Sequence, residues 1–180
     1  MKFIFGLITI LLINFSISAQ IDKTDFQKKI NKKAEILREV LEAKDYISDF
    51  EKVNEVGFTI DTFKIEQMLT MRLDVDFTTF SMIEAITDAE NAYDKLLNKY
   101  YQILKKKLSE EDQEALKKTQ LNWIKFRDSE KTLNVIISMP QYSGGGTMHD
   151  ITVAFENFEI TKQRVLEIYS YISRFFEYEY

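Results

Sequence analysis

Cysteine is absent from this 180-residue sequence, proline and histidine occur once each, and glycine occurs five times. Without cysteine there are no disulfide staples, no thiol nucleophile and no thiolate metal site. So few chain breakers leave room for few turns, which favours long helices over a many-stranded sheet. A cationic excess is missing too. The 24 Lys and Arg against 29 Asp and Glu give a formal charge of −5. That balance argues against nucleic acid and anionic membranes as partners, because both call for a cationic patch. It is compatible with a basic protein partner. What is present is core material: 45% of residues are hydrophobic and 13% aromatic, in a length suited to one domain.

The chain opens on Met1-Lys2, an apolar run from Phe3 to Phe15, and a small-residue exit, Ser16-Ile17-Ser18-Ala19. This pattern reads as a secretory signal peptide over 1–19, cut between Ala19 and Gln20. The run is too short to span a bilayer, which takes about 20 apolar residues. With no cysteine at the exit, a lipoprotein is excluded. The mature chain is expected in the periplasm or outside the cell. Cleavage removes Lys2 and makes the protein one charge more acidic.

Beyond the leader, apolar residues recur at helical spacing. Thr24 with Gln27 forms a capping box. Phe26, Ile30, Leu37, Val40, Leu41, Ile47 and Phe50 then predict one helix to about Glu55, broken at Gly57. The organisation expected is a leader (1–19), an N-terminal amphipathic helix (20–57) and a helical domain (58–180). Within that domain, a short helix from about Asp61 ends at Asp74-Val75-Asp76. Thr78 or Thr79 opens a helix that closes on the lysine run Lys105–Lys107. Ser109, followed by three acids, opens the next, which fades before Pro140. A glycine-rich loop covers 139–146. Thr147 with Asp150 caps a last helix whose stripe is Ile151, Phe155, Phe158, Val165, Ile168, Tyr169, Ile172 and Phe176. The fold expected is all-α, an irregular antiparallel bundle of four to five helices.

Candidate chemistry is sparse. A triad of Ser143, His149 and an acid has no nucleophile elbow or oxyanion motif beside it. Glu84/Asp88 and Glu90/Asp94 are paired acids four apart on one helix, but the Glu-x-x-His pairs of di-metal bundles are missing, and a solvated face accounts for them. Gly144-Gly145-Gly146 fits neither phosphate-binding glycine pattern. No cofactor or metal is therefore assigned. More informative are polar residues threaded on apolar stripes: Asn98 beside Leu97 and Tyr101, and Gln120 and Arg127 either side of Trp123. They read first as an internal hydrogen-bond lattice and second as a binding pocket.

Asp94-x-x-Leu97-Asn98-x-x-Tyr101, then Leu116-x-x-x-Gln120-x-x-Trp123-x-x-x-Arg127-Asp128, then a glycine loop and a last helix bearing Arg164, resemble the LprI-like lysozyme-inhibitor family. The resemblance implies an exported helical protein without enzymatic activity and, for some members, inhibition of lysozyme. It implies a basic muramidase as protein partner. Family members commonly carry a cysteine shortly after the Arg-Asp pair and another in the last helix; Lys131 and residues 151–156 supply none here. The candidate binding segment is the small-residue loop Tyr142, Ser143, Gly144, Gly145 and Gly146, with the signature residues expected to be structural. The competing expectation is an interaction module of the periplasm that uses the long N-terminal helix and has no lysozyme target.

Overall fold

A computed structural model describes residues 23–176, and the proposed leader lies outside them. Among the described residues there are six helices and no strand. They are α1 (23–42), α2 (Asp49–Val75), α3 (Thr79–Lys107), α4 (Glu110–Ile137), a single turn α5 (Pro140–Ser143) and α6 (Met148–Ser173).

Cross-helix pairs fix the directions. Tyr93 donates to Glu66 at 2.6 Å and Arg72 to Asp88 at 2.5 Å, so α2 and α3 are antiparallel. Glu90 with Lys131 and Asp94 with Arg127 make α3 and α4 antiparallel. Asn134 with Asn157 and Gln120 with Arg164 do the same for α4 and α6. The two down-running helices α3 and α6 are therefore parallel and form the centre. Tyr93 meets Phe158 edge-on at 5.6 Å, and Tyr100 meets Tyr169 at 5.7 Å. Phe158, Val165, Ile168 and Ile172 of α6 interleave with Ile86, Ala89, Leu97 and Leu104 of α3. Helix α2 flanks one side, stacking Phe58 on Tyr169 at 3.7 Å, and α4 flanks the other. Helix α1 packs outside α2 in a smaller cluster of Ala34, Leu41, Val56 and Ile60.

This topology sorts the connections. The α2–α3 corner, the α4–α6 connection and residue 23 share one end of the bundle. The α1–α2 turn and the α3–α4 junction share the other.

Caps explain most boundaries. Thr78 Oγ1 accepts from Ser81 N–H at 3.3 Å, and Ser109 Oγ from Asp112 N–H at 3.2 Å. Several expectations need correction. The helix expected from Thr24 to Glu55 is two helices. Ser48 Oγ accepts from Glu51 N–H at 3.1 Å while the Glu51 carboxylate accepts from Ile47 N–H at 2.6 Å, and this reciprocal cap starts α2 afresh. Lys23 and Thr24 are already helical, so Thr24 lies within α1 (23–42). Gly57 breaks nothing. It sits mid-helix, and the 57/58 boundary expected between units falls inside α2. Thr147 makes no side-chain cap bond, and Pro140–Ser143 is a helical turn rather than open loop. Val40, Ile47 and Phe155, expected in buried stripes, are exposed.

A methyl group at Gly57 would lie 3.7 Å from Tyr100 Oη, ordinary contact. Gly57→Ala is therefore expected to stabilise the protein by about 1 kcal/mol, the helix-interior cost of glycine. Thermal unfolding should show Tm rising by roughly 2–4 °C. A fall would mean the α2–α3 approach requires glycine.

Candidate functional site: an arginine–tryptophan cluster and an apolar end

Several of the predicted signature residues converge where α3, α4 and α6 meet. Arg164 on α6 is 4% exposed. Its Nε donates to Gln120 Oε1 at 3.1 Å and its Nη1 to Glu167 Oε2 at 2.9 Å. Its Nη2 is buried without a hydrogen-bond partner. The guanidinium lies 5.8 Å from the centre of the Trp123 ring, and Arg127 lies 5.2 Å from the same ring. One indole thus serves two cations, which offsets part of the desolvation of each. Arg127 is in turn held by Asp128 at 2.8 Å and Asp94 at 3.6 Å. The spacing of Gln120, Trp123 and Arg127 places all three on one face of α4, and the parallel course of α3 and α6 brings Asp94 and Arg164 to that face.

Leu97 is buried and Tyr101 partly buried against the same core. Asn98 does not join the cluster. It is exposed, and its amide donates to Asp94 O of its own helix at 3.1 Å, so the lattice expected to include it is smaller than anticipated. The paired acids are occupied by cations. Arg72 bridges Glu84 at 2.8 Å and Asp88 at 2.5 Å; Glu90 binds Lys131 and accepts from Thr161 Oγ1 at 3.3 Å. Among the described residues no group of His, Asp and Glu has metal-holding geometry. A cavity of about 270 Å³ lies elsewhere, between α1, α2 and α3. Ile65, Met68, Ala85 and Ala89 line it, together with the charged Lys23, Arg72 and Asp88.

The loop expected to bind is placed at the apolar end of the bundle. Gly144, Gly145 and Gly146 all have positive φ, which a side chain at those positions would strain. The Ser143 hydroxyl donates to Ser138 O at 2.8 Å and accepts from Gly145 N–H at 3.1 Å, so it is spent on the turn. Tyr142 projects into solvent.

A second feature at this end has no signal in the sequence pattern. Phe77 and Phe80 are 76% and 78% exposed at the α2–α3 corner, beside exposed Val75. In the sequence, Asp74-Val75-Asp76 marks only a helix interruption. Periodicity shows where apolar residues fall, and an unpaired aromatic at a helix start looks the same as a buried one.

The structure is thus a helical bundle whose polar cluster is knit inward and whose α2–α3 corner and α4–α6 connection carry exposed apolar residues. The family model described as Lysozyme inhibitor LprI matches residues 75–168, more than half of the chain, and the chain belongs to that family. The matched region spans α3, α4, α5 and most of α6, including every signature residue. No curated protein and no solved structure matches the chain. Among the described residues no helix is long and apolar enough to cross a membrane.

Proposed function

We propose that this chain is an exported, non-catalytic protein that binds and inhibits a basic muramidase. The observation that carries the reading is family membership over the α3–α4–α6 core, where the Arg164–Trp123–Arg127 cluster is assembled. The cluster is structural: it fixes how α4 lies against α3 and α6 and so sets the position of the loop beyond α4. Tyr142 to Gly146 contribute to the contact, since three glycines let backbone approach a cleft closely. The acidic balance supports fast encounter with a cationic enzyme. The leader over 1–19 delivers the protein to the compartment where cell-wall hydrolases act.

The test is lysis of a cell-wall suspension by a c-type lysozyme, with and without micromolar mature protein, at low and moderate salt. Inhibition is expected, weakening as salt rises because steering between exposed charges is screened. Unchanged lysis at micromolar protein would overturn the reading.

A second reading, a helix-docking module, rests on α1. Ile36 and Val40 lie four apart on its outer face, 57% and 60% exposed, outside the family match. The same assay separates the two. An I36E/V40E variant inhibits as well as wild type if α1 is not the working surface.

A further inference from the structure

We propose that the α2–α3 corner is the anchor by which this protein docks on its basic partner, with Phe77 and Phe80 entering an apolar-floored cleft and the carboxylates around them meeting its cationic rim. This rests on the inhibitor reading above and names the surface that carries it out.

The first observation is exposure. Two phenylalanines three positions apart are each about three-quarters exposed, with Val75 adjacent at 61%. Scattered single apolar residues on a surface need no explanation, but contiguous large ones mark interaction sites. The exposed residues Tyr142 and Met148 belong to the same end of the bundle, because the α4–α6 connection lies level with the α2–α3 corner.

The second observation is rigidity. Asp76 Oδ1 accepts from Thr78 N–H at 2.9 Å, and its Oδ2 accepts from Ser81 Oγ at 2.6 Å. Thr78 caps α3 through Ser81 N–H. These bonds, with the Ser81 hydroxyl contributing most, hold the Asp76 carboxyl below the usual carboxylate range. Phe77 lies between the two residues of this bonded turn, so its backbone is fixed before any partner arrives. Such preorganisation lowers the ordering cost of binding.

The third observation is charge. No Lys or Arg occurs between Arg72 and Lys95, and none between Lys131 and Lys162. Those two stretches supply both connections at this end of the bundle, where Lys23 of α1 also lies, and they contain Asp74, Asp76, Asp150 and Glu156. The bordering Arg72 is already clasped by Glu84 and Asp88. The chain's mild net acidity thus conceals an asymmetry: among the described residues this end holds an excess of carboxylates, and its cations Lys23 and Arg72 are both paired with Glu84 and Asp88. A second copy of this chain would bring like charges together, which disfavours self-association through this end. An anionic surface such as nucleic acid or membrane is disfavoured for the same reason. A cationic protein whose cleft offers apolar faces is the occupant that fits.

The experiment compares wild type, F77A/F80A and D74N as full mature chains against a c-type lysozyme, reading inhibition, Kd and association rate. Both phenylalanines are exposed, so helical circular dichroism and Tm should match wild type. F77A/F80A is expected to weaken binding by about 30-fold or more, the effect of truncating an aromatic hot spot. D74N is expected to slow association at low salt, with the difference vanishing at moderate salt. If wild type inhibits and F77A/F80A inhibits equally, the inhibitor reading stands and the corner is not the anchor. If wild type leaves lysozyme unaffected, the inhibitor reading falls and the anchor falls with it. A wild-type dimer that F77A/F80A dissociates would assign the corner to self-association and overturn the proposal.

Discussion

Arg164→Ala is expected to destabilise the protein by about 2–3 kcal/mol, the range for a buried hydrogen bond to a charged group. The change removes the bond to Gln120 Oε1, the contact with Trp123 and the aliphatic stem packed between α4 and α6. Its ion pair with Glu167 contributes little to that figure, because the Glu167 side chain is 55% exposed. Arg164→Met should be much closer to wild type. It keeps the stem and removes a guanidinium whose Nη2 has no partner, and apolar replacement of buried charge is often neutral. Chemical denaturation of both variants checks this. An alanine variant as stable as wild type but defective in inhibition would move the cluster from scaffold to contact surface.

Unfolding in alkali is expected to set in above about pH 10. Burial, with Glu66 or Asp61 nearby, raises the phenols of Tyr93 and Tyr100 well above their ordinary value of 10.0. Tyr169 is raised likewise, by burial first and then by Glu55 and Glu51. Below pH 10 both states hold these protons and stability is unaffected. Above it the unfolded chain releases them and the folded chain does not, so each tyrosine removes about 1.4 kcal/mol per pH unit. A pH series should show tyrosinate absorbance for these three rings rising together with loss of helical signal. Tyrosinate formation at ordinary pKa with helix intact would contradict their burial.

Much of the architecture was legible from end signals. Ser109 with its acids, Thr78 and the lysine run bounded α3 and α4 because caps and dipole partners are local chemistry. The α1–α2 break was missed because apolar residues keep helical spacing through 37–50, and Gly57 is a louder signal than Ser48 with Glu51. Yet Val40 and Ile47 are exposed: the spacing ran on after the packing had changed. Gln120, Trp123 and Arg127 were legible as one face of α4. That Arg164 would share the indole with Arg127 was not, since it depends on the parallel pairing of α3 with α6. The exposed phenylalanines were invisible for the same reason, as only tertiary structure shows what an apolar side chain fails to meet.

Titrating a basic lysozyme into the mature protein in a calorimeter tests the central claim most directly. Saturable one-to-one heats, with affinity falling as salt is raised, are predicted. The absence of any saturable heat at low salt, with the bundle folded by circular dichroism, would contradict it.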